Sequence, residues 1–596
     1  MIKLLKYLKK RDILYIAFCA ALVVLQVYCD LTMPDYTSKL TQEVAAGMPT
    51  MNSVWKNGGF MLAYALGSMA SAMLCGYFAA ATAANFAKTL RKVMFERVTS
   101  FSAAEMNKFG VPSLITRTTN DVVQMQTFIA IGLQMIIKAP VLAVWAICKI
   151  SASAVEWTAA TAAVVCVIVV TVGVLVGVCY PKFKQIQKLT DGLNNAMRES
   201  VTGVRVVRAF NAEDFQTAKF EDVNEKVKRN QLFTARGMGL MMPIMQMCMN
   251  GLTLAVYWIG AALINEAAGV PSRVALLGDM AAFTQYAMQV VMAFMMLIMV
   301  FMITPRCIVS ARRIHEVLST HRSVRSGAVT EVNADGKAPV VEFRNVAFAY
   351  DHGEGKAVSD ISFTVERGQT VAFIGATGSG KTTLVNLIER FYDVDEGEVL
   401  FNGLNVKQYD EEVLRGRISL ASQRAVLFKG DIESNVIYGA DDRRAQGDDA
   451  EADEAADAAR LAEALDVACA AEFVDGLDEG VHAPVAQDGS NFSGGQRQRL
   501  SIARAVYKRG ELMIFDDTFS ALDYKTDFSV RKKLREKFAD ATVLIIAQRI
   551  GTIMNADKII VLDEGRIVGC GKHKELLETC PVYNEIACSQ LSKEEL

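Results

Sequence analysis

The chain has 596 residues, enough for several folding units, and 52% of them are apolar, which gives a positive mean hydropathy. Its 63 basic and 65 acidic residues leave a net charge of −2, so composition gives no reason to expect nucleic-acid binding. The 12 cysteines are scattered, with no CxxC pair and no nearby histidine at ligand spacing. We therefore expect reduced thiols rather than a metal site or a disulfide framework.

Apolar residues are concentrated before about residue 305, and the later sequence has the composition of a soluble α/β protein. A helix needs ~20 mostly apolar residues to cross ~30 Å of hydrocarbon. Six spans are predicted, at residues 13–34, 58–82, 128–150, 158–180, 238–264 and 274–304. The first follows a basic head but lacks a small-x-small cleavage site, so we predict a retained span rather than a signal peptide.

Lysine and arginine residues indicate how these spans are oriented. Segments 1–11, 88–120 and 182–236 contain 5, 6 and 11 of these residues. The alternate segments 35–57, 151–157 and 265–273 contain only 2, 0 and 1. Because positive charge is enriched in cytoplasmic segments, both termini are predicted to lie in the cytoplasm.

Two cytoplasmic segments, 83–127 and 181–237, are charged, nearly free of proline and rich in helix-forming residues. We therefore expect the spans to continue as helices well beyond the bilayer. The sequences SLITRTTNDV (113–122) and VRAFNAEDF (207–215) lie at their far ends, where a short crossing helix could contact a soluble domain. A solvated helical hairpin is the alternative, and spacing alone does not separate the two.

Polar and sulfur-containing residues inside the predicted spans follow helical spacing. One face carries Met238, Met242, Met245 and Met249, with Gln246 and Asn250 beside it, and the last span carries Gln285, Gln289, Met292, Met296 and Met299. Such faces are typical of bundle packing, but flexible methionines with a few amides also suit a promiscuous apolar cavity. Lys138 and Asp279 lie within spans, where a charge indicates a functional site; Asp279 is close enough to the outer end to reach the interface instead.

The transmembrane domain is predicted to cover residues 1–320, a linker residues 321–340, and a soluble domain residues 341–590. In this domain GATGSGKT matches the phosphate-binding pattern GxxxxGK[ST], between a strand-like VAFI (371–374) and a helix-like TLVNLIERF (383–391). Backbone N–H groups at such a helix start hold phosphates, Lys381 would reach the β and γ phosphates, and the Thr382 hydroxyl would serve Mg²⁺. The loop residues are Gly375, Ala376, Thr377, Gly378, Ser379, Gly380, Lys381, Thr382 and Thr383. This protein is predicted to bind a nucleoside triphosphate.

A second acidic motif follows the phosphate-binding loop. The apolar run LMIF (512–515) leads into Asp516 and Asp517, which indicates a buried parallel strand delivering carboxylates to Mg²⁺. Tyr350 would either stack on a nucleotide base or be a core aromatic. The acidic, alanine-rich stretch 441–465 predicts a solvated helix without chemistry.

The order of six spans, phosphate-binding loop, SGGQ and acidic strand end resembles an ABC transporter half-molecule of the exporter type over essentially the whole chain. NFSGGQRQRLSIARA (491–505) resembles the family signature and its helix, and FDDTFSALD (515–523) the second Walker motif and D-loop. The resemblance implies a multidomain protein, with an α-helical six-span transmembrane bundle with long cytoplasmic extensions before an α/β P-loop ATPase domain. It also places coupling helices at 113–122 and 207–215.

The family's site roles carry over to matching residues. The resemblance implies that Tyr350 stacks on adenine, that Gln423 is the Q-loop glutamine, and that Mg²⁺ is held by Thr382, Gln423 and Asp516. The resemblance also implies that two halves sandwich two ATP molecules, each between one subunit's P-loop and the other's signature. The signature residues here are Ser493, Gly494, Gly495 and Gln496, and Asp523 lies in the D-loop.

Two positions depart from the family pattern. Asp517 stands where the family normally has a catalytic glutamate, and Gln548 stands where it has the switch histidine. An aspartate carboxylate stands roughly 1.5 Å further back from the attacking water, which can cost ~10²-fold in rate. Glutamine can hydrogen-bond to a phosphate but cannot carry a histidine's charge. Both changes are expected to weaken hydrolysis while leaving ATP binding intact.

An intact signature beside a weakened hydrolytic site predicts a heterodimer, in which this chain completes its partner's competent site. It resembles the degenerate subunit of bacterial heterodimeric multidrug exporters, so the predicted cargo is amphiphilic or hydrophobic and the predicted location is the cell membrane. The alternatives are a same-fold importer of a chelate or peptide, an ATP-sensing regulatory subunit that pumps nothing, and a homodimeric pump with two poor sites.

Overall fold

A computed structural model describes residues 2–47, 50–151, 155–267, 269–330, 338–350, 355–439 and 450–591. Its backbone divides into two compact units. The first unit contains Met1–Thr99 and Pro112–Ser319, and the second contains Ser100–Val111 and Thr320–Leu596. The second unit thus includes a short piece from between two spans, whereas the sequence analysis assigned all of 1–320 to the membrane domain.

Helices account for almost all of the chain between residues 10 and 319. They are α1 (Lys10–Ala45), α2 (Met51–Thr99), α3 (Ala103–Phe109), α4 (Val111–Thr118), α5 (Asn120–Ser151), α6 (Val155–Thr202), α7 (Val204–Ala209), α8 (Glu213–Glu266) and α9 (Val270–Ser319). Six helical stretches of the described residues are long and apolar enough to cross a membrane, and each overlaps one predicted span. The prediction of a six-span helical protein is therefore confirmed.

The long helices extend far beyond the thickness of a bilayer, as the composition of the cytoplasmic segments predicted. At 1.5 Å per residue the 49 residues of α2 measure about 74 Å, against ~30 Å of hydrocarbon. Prolines lie inside the other five long helices, at Pro34, Pro140, Pro181, Pro243 and Pro305. A proline inside a helix removes one backbone hydrogen bond and permits bending. Among these described helices, α2 is the one without such an interruption.

The core of the first unit forms where α1 packs along α2, α5 along α9, and α6 along α8. Trp157 and Phe283 are buried there with ring centroids 5.3 Å apart. The methionine face of α8 is divided: Met245 is buried in this core, whereas Met242 is 69% exposed. In α9, Met292 and Met299 are exposed, whereas Phe283 and Val290 are buried. Gln285, Gln289 and Met296 are half-buried, so the polar and methionine face of this helix lies at the edge of the core.

Lys138 has a partner that the sequence analysis did not identify. Its ammonium nitrogen lies 3.3 Å from a carboxylate oxygen of Asp30 on α1, and the Ser68 hydroxyl of α2 donates to the other oxygen at 2.5 Å. A second pair joins Lys149 to Asp35 at 2.7 Å. Asp279 accepts a hydrogen bond from the Ser38 hydroxyl at 3.4 Å. These contacts join α1 to its neighbours by charge and hydrogen bonding within the candidate spans.

The second unit is built on strands and short helices. The strands are β1 (Val341–Phe348), β2 (Val358–Val365), β3 (Thr370–Gly375), β4 (Glu396–Phe401), β5 (Leu404–Asn405), β6 (Ile418–Ala421), β7 (Gly430–Asp431), β8 (Pro484–Val485), β9 (Leu512–Asp516), β10 (Thr542–Ile546), β11 (Lys558–Asp563) and β12 (Arg566–Gly571). The helices are α10 (Lys381–Ile388), α11 (Glu411–Gly416), α12 (Ile432–Val436), α13 (Ala450–Val467), α14 (Ala471–Asp475), α15 (Gly494–Lys508), α16 (Tyr524–Lys537), α17 (Ile550–Ile553), α18 (His573–Thr579) and α19 (Pro581–Gln590).

A six-stranded sheet in the order β12-β11-β3-β10-β9-β6 organises this unit, with only the β11–β12 pair antiparallel. The strands β9 and β10 are buried along their whole length, which explains why LMIF and TVLII are continuous apolar runs. The unit also contains an antiparallel sheet in the order β2-β1-β4-β5 and the two-stranded pair β7-β8. Because β3, β6, β9 and β10 are parallel, their carboxyl ends meet at one edge, where ligands bind in open α/β sheets.

Most of the acidic stretch predicted as a solvated helix is helical. Helix α13 spans Ala450–Val467, while residues 440–449 lie outside the described part of the chain. The buried Leu461 and Leu465 of this helix belong to the hydrophobic core of the second unit.

Candidate nucleotide site

The phosphate-binding loop connects β3 to α10 at the carboxyl edge of the sheet. Gly380 precedes α10 with a positive φ of 98°, and a Cβ at this position would lie 2.6 Å from a Val358 methyl. A Cβ on Gly375 would lie 2.1 Å from the Leu562 carbonyl oxygen. These two positions therefore require glycine for steric reasons.

Lys381 is folded back onto the loop that it follows. Its ammonium group donates to the carbonyl oxygens of Gly375 at 2.9 Å and Ala376 at 2.7 Å, and to the Ser379 hydroxyl at 3.2 Å. Burial lowers the pKa of Lys381, while the carboxylates of Asp516 and Asp517 oppose that shift. The cation is thus held at the loop by neutral oxygens, which a phosphate could displace.

Thr382 and Asp516 form an oxygen-rich pair next to the loop. The Thr382 hydroxyl donates to Asp516 at 3.3 Å, and Asp516 is the last residue of β9. Burial raises the pKa of Asp516 to about 6; the neighbouring Asp517 adds to the shift, and the Thr382 hydrogen bond and Lys381 oppose it. A hydroxyl and a carboxylate are hard oxygen ligands, so this donor set fits Mg²⁺.

Asp517 is held by two side-chain amides. The Nε2 of Gln423 lies 3.2 Å from its Oδ2, and the Nε2 of Gln548 lies 2.9 Å from the same oxygen. Gln423 follows β6 and Gln548 follows β10, the two strands that flank β9, so the sheet order brings all three together. Asp517 itself has a φ of 48°, a left-handed conformation that aspartate tolerates better than most residues.

Tyr350 lies against two other aromatic rings. Its ring meets those of Phe348 and Tyr392 edge-on, at centroid distances of 4.8 and 5.2 Å. Its hydroxyl donates to the Thr383 hydroxyl at 3.2 Å, which links it to the first turn of α10. Tyr350 therefore stands beside the phosphate-binding loop, in an orientation fixed by contacts on its edge.

The signature residues form the start of α15. Ser493 and Gln496 make a reciprocal cap: the Ser493 N–H donates to the Gln496 side chain at 2.9 Å, and the Gln496 N–H to the Ser493 hydroxyl at 3.2 Å. A Cβ added at Gly494 would meet no described residue within 4 Å apart from its own chain neighbours and helix backbone, so this turn is open. Asp523 caps α16 by accepting from the Thr526 N–H at 3.1 Å. No hydrogen bond within the described chain joins Ser493 or Gln496 to the phosphate-binding loop.

Three further residues contribute to this site and were not predicted from the sequence. Tyr392 orients Tyr350; the RFYD run (390–393) contains it, but no motif rule points to it. Gln498 is buried and donates to the Ser422 carbonyl at 3.2 Å, which ties the signature helix to the loop of Gln423. Glu389 ends the phosphate-binding helix in a buried position, and burial raises its pKa to about 7.

Comparison with known proteins places both halves of the chain in recognised families. Residues 16–294 match the family model of the ABC transporter transmembrane region, and residues 358–520 match the ABC transporter family model. The first match covers most of the long membrane helices, and the second covers the phosphate-binding loop, the signature and strands β3, β6 and β9. Their order along the chain is that predicted from the motifs.

Relatives match over nearly the full length. An uncharacterised ABC transporter ATP-binding protein of Mycobacterium tuberculosis is 36% identical over 584 residues, covering 96% of each chain. One of Bacillus subtilis is 30% identical over 603 residues, covering 100% of this chain and 99% of the relative. The ATP-dependent lipid A-core flippase of Bordetella pertussis is 31% identical over 521 residues, covering 86% of this chain and 79% of its own.

A solved structure shares the fold. It is that of a bacterial Atm1-family ABC exporter with ATP bound, which superposes with a TM-score of 0.77 at 24% identity and covers 97% of this chain and 98% of that one. At this identity the likeness is one of fold.

Proposed function

We propose that this chain, which belongs to the ABC transporter family, is one half of a heterodimeric exporter. In this proposal the chain's own site binds ATP but hydrolyses it slowly. The family membership carries an ATPase domain, a multi-pass membrane location and ATP-driven export. Our proposal adds three points to this membership: slow ATP hydrolysis at this chain's own site, a partner subunit with a different sequence, and the class of cargo. The single observation behind the slow site is the hydrogen-bonding of Asp517.

The chain has the residues expected to bind the nucleotide. Lys381, Thr382 and Asp516 lie around the phosphate-binding loop, and Tyr350 stands beside it for the base. Thr382, Asp516 and the amide oxygen of Gln423 would hold Mg²⁺, which supplies positive charge to the phosphates when bound. The chain's own contribution is orientation: burial of Lys381 and Asp516 fixes both side chains before the nucleotide arrives.

Hydrolysis would be slow because Asp517 is badly placed to accept a proton from water. Its carboxylate is one methylene shorter than a glutamate's, and its Oδ2 already accepts hydrogen bonds from Gln423 and Gln548. A base needs an oxygen within hydrogen-bond reach of the attacking water. Gln548 also lacks the charge with which a histidine would stabilise the γ-phosphate.

The intact signature supports a role in a second, competent site. Ser493 and Gln496 are capped by each other and the turn at Gly494 is open, as expected for a surface that receives another subunit's nucleotide. Half-transporters of this kind generally dimerise. A partner with a glutamate and a histidine at the positions of Asp517 and Gln548 would hydrolyse ATP against this chain's signature.

The cargo we propose is amphiphilic or hydrophobic, of the kind that multidrug exporters move. Support comes from the face of α9 bearing glutamine and methionine, where Met292 and Met299 are exposed while Val290 is buried. The distribution of lysine and arginine supports a cell-membrane topology with both termini and the ATPase domain in the cytoplasm.

ATP turnover by the chain purified alone in lipid tests the proposal. We expect wild-type turnover no faster than that of Lys381→Ala, with ATP binding retained only in the wild type. The double variant Asp517→Glu, Gln548→His should gain turnover of about 10²-fold, the cost of a misplaced reacting group. Brisk hydrolysis by the wild-type chain alone would overturn the slow-site proposal and favour a homodimeric exporter.

A further inference from the structure

The short segment Ser100–Val111 connects two spans along the chain but belongs to the second unit, which carries the phosphate-binding loop and is called the ATPase unit below. Its helix α3 is capped by Ser102, whose N–H and hydroxyl both donate to the carboxylate of Glu105. The other oxygen of Glu105 accepts the backbone N–H of Ser323 at 2.9 Å. Glu105 is 6% exposed; burial acts to raise its pKa, but the hydrogen bonds from Ser102 and Ser323 outweigh it and lower the pKa. One buried, ionised carboxylate thus joins α3 to the chain that follows α9.

The residue before Ser323 makes the next connection. Arg322 donates from one guanidinium nitrogen to both carboxylate oxygens of Glu411, at 2.7 and 2.8 Å. The Glu411 side chain is 11% exposed and that of Arg322 is 29% exposed, so the pair is largely shielded from water. Charge-assisted hydrogen bonds of this length are stronger and more restrictive in geometry than neutral ones.

Backbone contacts hold the same stretch against the ATPase unit. The Gly327 N–H donates to the Tyr409 carbonyl at 2.8 Å, and the Val329 N–H to the Gln408 carbonyl at 3.0 Å. A Cβ on Gly327 would lie 2.1 Å from the Gln408 oxygen, so the approach is as close as glycine permits. The stretch is therefore fixed in register next to Glu411 rather than loosely tethered.

Beyond Glu411 the contacts reach the end of the phosphate-binding helix. Arg415 donates to Glu411 at 3.1 Å, and also to the backbone carbonyls of Glu389 at 3.3 Å and Arg390 at 3.2 Å. Arg390 in turn donates to the Arg325 carbonyl at 2.7 Å. Glu389 is the C-cap of α10, the helix that begins at Lys381.

We propose that these residues form a positioning bridge between α3 and the phosphate-binding helix. The linker bridge, as we name it, consists of Glu105, Ser323, Arg322, Glu411 and Arg415. A shift of α10 when phosphate is bound is passed through Arg415 and Glu411 to Arg322, and from Ser323 to Glu105 and α3. Glu411 and Arg322 act through other residues and touch no nucleotide, so they are positioning residues for ATP-driven transport. The bridge acts whether or not the chain's own site is slow.

Hydrogen–deuterium exchange of the full-length chain in lipid nanodiscs tests the linker bridge, since it reports each segment separately. With wild type we expect ATP and Mg²⁺ to slow exchange in Lys381–Ile388 and also in Ala103–Phe109. In Glu411→Gln the first effect should remain, while the second should fall at least about fivefold, the lower end of coupling between sites in proteins. Arg322→Lys, which keeps the charge, should retain more of the response at α3 than Arg322→Gln.

Glu511→Gln is the matched control. Glu511 accepts from Arg417 at 2.7 Å in the same unit but lies outside the linker bridge, so the α3 response should match wild type. The proposal is overturned if Glu411→Gln leaves the α3 response intact, if wild type shows no response there, or if Glu511→Gln abolishes it equally. A loss of protection throughout 338–591 in Glu411→Gln would also overturn it, because that is the result of a purely structural role. Should Glu411→Gln not fold, the Arg322 pair carries the same comparison.

Discussion

Two adjacent aspartates at the end of β9 are directed to different partners. Asp516 accepts a hydrogen bond from Thr382 next to the phosphate-binding loop, whereas Asp517 accepts from Gln423 and Gln548. The left-handed φ of 48° at Asp517 turns the chain out of the strand and separates the two carboxylates. The two aspartates therefore supply one carboxylate suited to the cation and a second that is already engaged by two side-chain amides.

The first residue-scale prediction concerns pH and Asp516. Since burial raises its pKa to about 6, the carboxylate is ionised above that value and becomes protonated as pH falls through it. A protonated carboxyl is a poor Mg²⁺ ligand. We expect the gain in ATP affinity on adding Mg²⁺ to be full at pH 7.5 and to shrink roughly tenfold by pH 5, following the ionised fraction.

Titration of ATP binding with and without Mg²⁺ at several pH values measures this gain. Asp516→Asn is the control, because ATP itself also titrates in this range and its contribution remains in the variant. Equal pH dependence of the Mg²⁺ gain in Asp516→Asn and wild type would contradict a role for this carboxylate.

The residues proposed for the nucleotide site come from motifs, because each motif is local in the chain. The loop Gly375–Thr382 and the signature at Ser493 can be read from a few consecutive letters. The contact of Asp517 with two glutamines was not predicted, since it depends on which strands are neighbours in the sheet. Tyr392 was missed because only the packing of its ring against Tyr350 shows its importance.

Ion pairs join neighbouring helices in the first unit, and the periodicity of the sequence does not predict which charged residues form them. Lys138 and Asp30 are 108 residues apart, and nothing in either span identifies the other as its partner. The length and apolar composition of the spans were sufficient to predict all six helices, because backbone groups in lipid must be satisfied within the helix. Which helices pack together is a property of the folded bundle.

This pairing gives a prediction at the scale of the helices. Lys138→Met leaves Asp30 without its cation within a span, and breaking a shielded pair costs up to ~3–5 kcal/mol. We expect the melting temperature in lipid or mild detergent to fall, and Asp30→Asn in the same chain to restore most of it. Lys149→Met should have a smaller effect, because Lys149 and Asp35 are 37% and 40% exposed. Equal losses for the two lysine variants, or no restoration, would contradict it.

In the whole molecule, the signature of this chain is expected to act on nucleotide held by another subunit. Ser493→Arg would place a long cationic side chain at the open start of α15, whose described hydrogen bonds at Ser493 and Gln496 do not involve this chain's own phosphate-binding loop. We expect ATP binding by this chain alone to be unchanged, while ATP turnover of the assembled transporter falls to the level reached when the partner's own P-loop lysine is replaced by alanine. Unchanged turnover of the assembly would favour an ATP-sensing subunit instead.

The division of the chain into two units differs from the boundary that its composition predicts. Hydropathy separates the chain near residue 305, but the backbone groups Ser100–Val111 with the ATPase unit. The reason is chemical: Glu105 and Asn107 bond to Ser323 and Tyr392, residues more than two hundred positions later. A boundary formed by such contacts has no signal in a sliding window of residues.

The uninterrupted helix α2 can be considered as a mechanical lever. A rod of about 74 Å that turns by about 5° moves its far end by about 6 Å, more than one helical turn. The other long spans contain prolines, where part of such a rotation can be absorbed as bending. Helix α2 ends at Thr99, immediately before the segment held by Glu105. If α2 rotates about a point close to that segment, the rotation reaches its opposite end without loss at a proline, and a small displacement becomes a larger one.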